Sequence, residues 1–385
     1  MSLFPAPQRA LPLDEKERIA RLRLIRTENV GPITFYGLLD RFGSAQKAME
    51  ALPSLSRKGG RLQNLTLHTE EAALAEMEAL QSAGGTMVFA GDKHYPLPLS
   101  SIEDAPPVLS VLGNPKLLNL PSIGIVGSRN ASLNGCKFAE KLARELGAAG
   151  QMVVSGLARG IDTAAHKGAL ATGTIAVVAG GIDIIYPPEN RALYGQIASE
   201  GCIVAENPLR MEPLARHFPK RNRIISGLAA GVAVIEATLK SGSLITARTA
   251  AEQGRDVYAV PGHPFDPRAA GPNRLLQDGA TMVQSARDIL DNIVHFSGSR
   301  PALEEEQHGF SPAPFPDEDT APAFEEGAAD LHDLILQNIS LTPITVDELV
   351  RNCHVSIPAL QSVLLELELA GRIQKLPSNR IVLIN

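Results

Sequence analysis

The sequence predicts an α/β protein whose centre is a doubly wound, mostly parallel β-sheet. Short apolar runs alternate with amphipathic helical patterns through the middle of the chain, and consecutive parallel strands need such helical crossovers. Glycine-rich turns follow several of these runs, as is typical of the loops at the carboxyl ends of parallel strands. Helical patterns on either side predict two smaller domains.

The N-terminal region, residues 1–80, predicts a small helical domain. Apolar residues recur at helical spacing in Glu15–Thr27, and a second helix over Ile33–Phe42 ends at Gly43, a residue type that favours helix ends. The pair resembles a helix-hairpin-helix or sterile-alpha-motif (SAM) unit. In a hairpin, the turn at Gly31 would present backbone amides to a phosphate; the alternative is a plain helical packing unit.

Residues 81–295 predict a Rossmann-like domain with a lead-in segment. Its predicted strands are Ile123–Val126, Met152–Ser155, Ile175–Ala179, Ile203–Ala205, Val232–Ile235, Val257–Val260 and Met282–Val283. The helices predicted between them include Leu133–Ala148, Thr163–Ala171, Glu189–Ser199 and Leu244–Gln253.

The acidity of the 385-residue chain is concentrated in one segment. The formal net charge is -6, yet residues 296–330 alone hold nine Asp and Glu against one Arg, together with five prolines. This composition cannot bury enough apolar surface to fold and predicts a linker. Residues 116–295 hold 19 Lys and Arg against 15 Asp and Glu. The central domain can therefore attract a polyanion although the whole chain is acidic.

Residues 331–385 predict a winged-helix domain. Thr345–Glu348 matches a capping box, Ser356 can cap a helix that runs to Ala370, and Arg372–Leu376 with Arg380–Ile384 would form the wing. The second helix has no Lys or Arg and contains Glu366 and Glu368. Because readers of the major groove need cations or amides, we expect no sequence-specific duplex binding here. Its leucines indicate a partner surface or a core.

Composition also predicts a cytoplasmic protein without a membrane segment. No apolar stretch reaches the roughly 18 residues that a spanning helix needs, and Met1–Asp14 lacks the pattern of an export signal. Cys136, Cys202 and Cys353 are far apart and odd in number. Neither a disulfide framework nor a zinc site is expected.

The turn after the first predicted central strand is a candidate phosphate site. Gly127, Ser128 and Arg129 combine exposed amides with a cation. The alternative is a tight turn with a solvated arginine. Since the next glycine after Gly127 is Gly135, the turn lacks the GxGxxG spacing, and no dinucleotide or other cofactor is expected.

The most informative segment is the basic octet Arg216–Arg223, which follows the fourth predicted strand of the central domain. Cations neutralise phosphates and a phenylalanine face can stack on any base, so this mixture suits sequence-independent binding of a single strand. The alternative is a basic helix start with the ring in the core. The candidate contacts in the octet are Arg216, Phe218, Lys220, Arg221, Asn222 and Arg223.

Further turns offer weaker signals. Asp162 and His166 have the spacing of one helix face and could bind a metal or transfer protons, but with no evident third ligand we interpret Asp162 as a turn or helix-start residue. After the fifth strand, Lys240, Ser241, Gly242 and Ser243 suit a phosphate or a helix N-cap. Val260–His263 ends the sixth strand. Several such turns on one edge would make a groove.

Six linked motifs closely resemble the DNA processing protein A (DprA/Smf) family. They are GSRN at 127, SGLARGIDTAAH at 155, GGIDIIYPPEN at 180, FPKRNRIISGL at 218, EATLKSGSLITA at 236 and VPGHP at 260. The resemblance implies single-stranded DNA binding, assistance in loading a RecA-type recombinase during natural transformation, and a homodimer formed through the Rossmann-like domain. It places a phosphate contact on Arg129 and the FPxRNR segment on Phe218, Arg221, Asn222 and Arg223.

The competing interpretation is a nucleotide hydrolase of the lysine-decarboxylase-like class, a Rossmann relative that cleaves nucleoside monophosphates. That class uses a PGGxGTxxE motif, whose nearest counterpart here, Ser241-Gly242-Ser243, has no matching glutamate. Glu206 and Glu236 stand near strand ends and could do acid-base work, or hold turn amides and cations. We therefore expect a DNA-binding protein and not an enzyme.

Overall fold

A computed structural model describes residues 13–58, 65–297, 328–339, 343–353, 355–376 and 379–384. Nearly all of the predicted linker, 296–330, and most of the N-terminal start lie outside these residues. The described residues up to Leu52 and from Thr66 to Leu290 form one compact unit, and the others form a second. The boundaries predicted at 80, 295 and 330 stay predictions.

The N-terminal domain is helical, with α1 at Glu15–Arg26, α2 at Pro32–Phe42, α3 at Ala45–Lys58 and α4 at Glu70–Ser82. Asp14 caps α1 by accepting from the Glu17 amide at 2.7 Å. The next helix begins with Pro32 and ends at Gly43, whose φ of 76° is the left-handed geometry that glycine adopts without strain. Both predicted helices are confirmed.

The central domain is a nine-stranded sheet covered by helices. Its strands are β1 (Gly85–Phe89), β2 (Val108–Gly113), β3 (Ser122–Val126), β4 (Met152–Ser155), β5 (Thr174–Val178), β6 (Cys202–Ala205), β7 (Gly231–Val234), β8 (Asp256–Ala259) and β9 (Thr281–Met282). Its helices are α5 (Leu97–Ser100), α6 (Leu133–Ala148), α7 (Ile161–Ala169), α8 (Arg191–Glu200), α9 (His217–Leu228), α10 (Gly242–Glu252), α11 (Ala270–Gln277) and α12 (Ala286–Ser297).

The strand order is β1-β2-β6-β5-β4-β3-β7-β8-β9. All pairs from β6 to β9 are parallel. β3 is the middle one of these seven parallel strands, and the strand order continues from it through β4, β5 and β6 on one side and through β7, β8 and β9 on the other. The seven predicted strands are confirmed to within one residue. The antiparallel strands β1 and β2 were not predicted, because the strand prediction depended on the alternation with crossover helices that joins parallel strands, and these two strands pair antiparallel in the lead-in segment.

The C-terminal domain is a winged helix. It consists of α13 (Ala328–Asn338), β10 (Ile344–Thr345), α14 (Val346–Cys353), α15 (Ile357–Leu369), β11 (Ile373–Leu376) and β12 (Arg380–Leu383), and its sheet has the order β10-β12-β11. The capping box is confirmed, since the Thr345 amide donates to Glu348 and the Glu348 amide donates to the Thr345 hydroxyl.

The two acidic residues of the predicted second helix are buried within that domain. Glu366 lies 3.0 Å from His332 Nε2, and Glu368 lies 3.9 Å from Lys375 Nζ. Burial and these partners remove both carboxylates from the exposed surface of α15. No helix among the described residues is long and apolar enough to cross a membrane.

Gly168 holds α7 against α6, and its replacement tests that packing. A Cβ at Gly168 would overlap the carbonyl oxygen of Glu140. We expect Gly168→Ala to lower the free energy of unfolding by about 1–3 kcal/mol in urea denaturation. Gly195 in α8 is the control, because nothing lies within 4 Å of its added Cβ; Gly195→Ala should raise stability by about 0.5–1 kcal/mol. Equal stability of the two variants would contradict the close packing.

Candidate nucleic-acid interface

The loops that carry the predicted contacts lie along one edge of the sheet. Parallel strands place their carboxyl ends at the same edge, and lateral hydrogen bonds join the loops there. The Ser128 amide donates to the Glu236 carbonyl at 2.6 Å, and the Ile161 amide donates to the Ser128 carbonyl at 3.3 Å. We call this surface the carboxyl rim; it comprises residues 127–130, 156–160, 180–187, 213–222 and 236–243.

Arg129 and Phe218 meet on this rim. Arg129 is exposed, and its guanidinium carbon lies 5.0 Å from the centroid of the partly buried Phe218 ring. Tyr186 presents its ring to Phe218 at a centroid distance of 5.7 Å and is itself 46 % exposed. A cation above an aromatic face and a second ring at its edge form one surface. The two residues on which the sequence prediction depended are therefore brought together.

A pocket of about 200 Å³ opens beside this pair. One wall is apolar and is formed by Ile184, Tyr186, Pro187, Pro213 and Phe218. The remaining lining residues include Arg129, Asn130, Arg159, Arg221 and the turns at Gly156 and Gly180. Of the side chains that line the pocket, sequence reasoning named Arg129, Phe218 and Arg221 as contacts. Three residues of the missed wall, Ile184, Tyr186 and Pro187, belong to the GGIDIIYPPEN motif, and Pro213 comes from a different loop.

Arg221 lies at the floor of the pocket and is 6 % exposed. Its Nη1 donates to the carbonyl oxygens of Gly156, at 2.5 Å, and of Val177. Asp162 accepts from the amides of Gly156 and Ala158 at 3.1 and 3.3 Å. Burial lowers the pKa of Arg221 to about 10 and raises the pKa of Asp162, while each charge opposes the shift of the other. Arg221 thus ties the ends of β4 and β5 together.

Arg223 lies elsewhere, contrary to its predicted place among the phosphate contacts. It is 8 % exposed, and its guanidinium donates to the Asp104 carbonyl and the Glu206 carboxylate, each at 2.5 Å. Burial lowers the pKa of Arg223, but Glu206 and Asp104 outweigh that effect and raise it. Since residues two apart on a helix differ by about 200° in direction, Arg221 and Arg223 cannot share one face of α9.

The other predicted contacts lie at the starts of α9 and α10. Arg216, Lys220, Lys240 and Gly242 are exposed. Asn222 reaches towards α10 and donates to the Gly242 carbonyl at 3.5 Å. Ser241 caps α10, accepting from the Ser243 amide at 3.4 Å, and its hydroxyl lies 2.7 Å from that of the buried Ser243. The N-cap interpretation of this segment is therefore confirmed for Ser241.

The carboxylates considered for acid-base work have structural partners. Glu236 accepts from the amide and hydroxyl of Ser132 at 2.8 and 2.5 Å, and Glu206 holds Arg223. His166 is buried, and its Nδ1 lies 2.8 Å from the Thr174 hydroxyl; burial lowers its pKa to about 3. Among the described residues, no group of three or more His, Cys, Asp or Glu could hold a metal ion.

Comparisons with known proteins identify the family of this chain. The family model described as DNA recombination-mediator protein A matches residues 86–294. The chain belongs to the DNA processing protein A family. Two further models match its flanks: the DprA-like N-terminal HHH domain at 15–79 and the DprA winged helix domain at 318–379. The resemblance inferred from the six motifs is confirmed.

Individual DprA relatives match over most of the chain. DNA processing protein DprA of Bacillus subtilis is 42 % identical over 263 residues, which are 64 % of this chain and 89 % of that protein. Protein Smf of Escherichia coli is 37 % identical over 308 residues, 78 % of each chain.

Two solved DprA structures share the fold. DprA of Streptococcus pneumoniae superposes with a TM-score of 0.60 at 36 % identity, covering 72 % of this chain and 98 % of that one. DprA of Helicobacter pylori, whose structure is described as showing a unique single-stranded DNA binding mode, superposes with a TM-score of 0.51 at 29 % identity. It covers 55 % of this chain and 96 % of that one.

The structural role of Arg223 can be separated from DNA contact. Arg223→Ala leaves Asp104 and Glu206 partly buried without their cation, and we expect it to lower the free energy of unfolding by about 3–5 kcal/mol. At a temperature where the variant stays folded, the salt dependence of single-stranded DNA binding should match that of the unaltered protein. Retained stability with a shallower salt dependence would instead make Arg223 a phosphate contact.

Proposed function

We propose that this protein binds single-stranded DNA along the carboxyl rim without sequence preference, and that it assists the loading of a RecA-type recombinase onto incoming DNA in natural transformation. The observation that carries the DNA-binding proposal is the exposed Arg129 guanidinium stacked over Phe218 at the mouth of the pocket. The description of the Helicobacter pylori relative as a single-stranded DNA binder supports it.

The surface suits an unpaired strand. Arg129 would hold a phosphate, and the exposed cations Arg216, Lys220 and Lys240 would follow the backbone. The rings of Phe218 and Tyr186 would offer a base a stacking face and edge. A duplex keeps its base faces stacked inside the helix, so this surface would discriminate against it.

The nucleotide-hydrolase alternative finds little support at the pocket. Among the described residues that line it there is no Asp, Glu, His or Cys. Cleavage of an N-glycosidic bond needs a group that can take up or supply a proton. Glu206 and Glu236, the two candidates, hold Arg223 and Ser132 instead. A DNA-binding mediator without catalytic activity therefore fits this site better.

We also propose two protein partners, a RecA-type recombinase and a second copy of this chain. The family description, a DNA recombination mediator, supports the recombinase as partner. For a homodimer through the Rossmann-like domain, β9 is a suitable element because it is the last strand of the sheet, and its Met282 is 52 % exposed. The exposed apolar side chain at this edge of the sheet could pack against a second copy. We propose a cytoplasmic location as well, because the protein would act there on incoming DNA together with the recombinase.

Replacement of the two central residues should weaken DNA binding in different ways. Phe218→Ala should cost about 1–3 kcal/mol of binding free energy to oligothymidylate, with an unchanged salt dependence, because it removes stacking and no charge. Arg129→Ala should weaken binding and reduce the slope of log K against log salt by about one. Fluorescence anisotropy at several salt concentrations measures both effects.

Arg144→Ala is the matched control for lost charge. Arg144 is an exposed cation of α6 that pairs with Glu140, and an exposed pair of this kind contributes little stability. It should bind the oligonucleotide as the unaltered protein does. Identical isotherms for all four proteins would contradict the proposed site, and release of free base from a nucleoside monophosphate by the unaltered protein would favour the hydrolase.

A further inference from the structure

The loop that follows β8 carries an aromatic ring in full contact with solvent. Phe265 is 92 % exposed, and the ring of the exposed His263 lies against it at a centroid distance of 5.6 Å, with the two planes inclined by 41°. We propose that Phe265 and His263 form a second base-stacking platform for single-stranded DNA, separate from Phe218. This inference rests on the function proposed above and extends it to a longer stretch of the strand.

The loop holds the ring outwards on a rigid frame. Pro261, Pro264 and Pro267 fix three of its backbone φ angles. Two consecutive turns close it, since the Asp266 amide donates to the His263 carbonyl at 2.9 Å and the Ala269 amide donates to the Asp266 carbonyl at 2.9 Å. The exposure of Phe265 is therefore built into the loop. An exposed aromatic ring lacks the favourable free energy of burial. A ring that is held in this exposed position is therefore suited to bind a ligand that covers it.

This loop continues the carboxyl rim. Strands β3, β7 and β8 are adjacent and parallel, so the loop after β8 leaves the same edge of the sheet as Arg129. The Ala237 amide donates to the Arg268 carbonyl at 2.7 Å and the Gly271 amide donates to the Ala237 carbonyl at 2.8 Å, which joins the two neighbouring loops. Two strand spacings, about 10 Å, separate β3 from β8. A strand held at Phe218 could reach Phe265 if it extends in this direction.

The local chemistry accepts a nucleotide. Asp266 would repel a phosphate, but Arg268 neutralises it through two hydrogen bonds, from Nε at 3.0 Å and from Nη2 at 3.1 Å. His263 Nδ1 accepts from the Phe265 amide at 3.3 Å, which leaves Nε2 as the donor nitrogen of the ring. Exposed Lys240 belongs to the adjacent loop. The platform thus combines a ring face, a ring N–H donor and a nearby cation, the mixture that binds single strands.

The test compares oligothymidylates of two lengths on the full chain. A short oligomer of about two nucleotides can occupy the Phe218 site alone, because it is too short to reach Phe265 across about 10 Å. An oligomer of about twenty nucleotides can span both sites. We expect Phe265→Ala to weaken binding of the long oligomer about five- to tenfold and to leave the short oligomer and the salt dependence unchanged. Phe265→Tyr should bind as the unaltered protein does, and Phe265→Leu should resemble Phe265→Ala, because stacking needs the ring.

Leu97→Ala is the control for loss of an exposed apolar side chain. Leu97 is 73 % exposed in α5, whose neighbouring Leu99 packs at Gly227, near the far end of α9 from the rim. It should bind both oligomers normally. Unchanged binding of the long oligomer by Phe265→Ala would overturn the platform, as would weakened binding that accompanies a changed oligomeric state in light scattering. Failure of the unaltered protein to bind either oligomer would instead refute the function proposed above.

Discussion

The buried charge of Arg221 is the interaction on which the candidate site depends. Its guanidinium donates to the carbonyl oxygens of Gly156 and Val177 at the ends of two neighbouring strands, and Asp162 accepts from two amides of the turn that follows β4. A buried cation needs such partners, since removal from water is costly without them. The floor of the pocket is therefore rigid, and Arg129 and Phe218 can face solvent above it.

The four cations of the basic octet lie partly in the interior and partly on the surface. Arg221 and Arg223 turn inwards on opposite sides of α9 and hold separate parts of the fold together, whereas Arg216 and Lys220 stay exposed at its start. A strongly basic sequence segment thus supplies both the frame of the rim and its surface charge. Replacement of an inward arginine would therefore act on the rim through the stability of the fold, whether or not its side chain touches DNA.

Most of the fold could be predicted from sequence because its signals are local. Apolar runs and glycine turns marked the seven parallel strands, and caps marked the helix ends at Gly43, Thr345 and Ser356. The burial of Arg223 could not be predicted, since Asp104 lies 119 residues away in the chain. The apolar wall around Tyr186 and Pro213 likewise arises where distant loops meet. Composition located Arg129 and Phe218, but their stacking required the three-dimensional structure.

We propose that the carboxyl rim recognises an unpaired polynucleotide by contacting both its phosphates and its exposed base faces. A competition titration by fluorescence anisotropy tests it most directly, with labelled oligothymidylate displaced by unlabelled single strand, by duplex of equal length or by thymidine monophosphate. We expect the single strand to compete strongly, the duplex weakly, and the mononucleotide hardly at all, because it lacks the row of phosphates. The proposal would be contradicted if the duplex competed as well as the single strand, or if the mononucleotide competed better than the single strand.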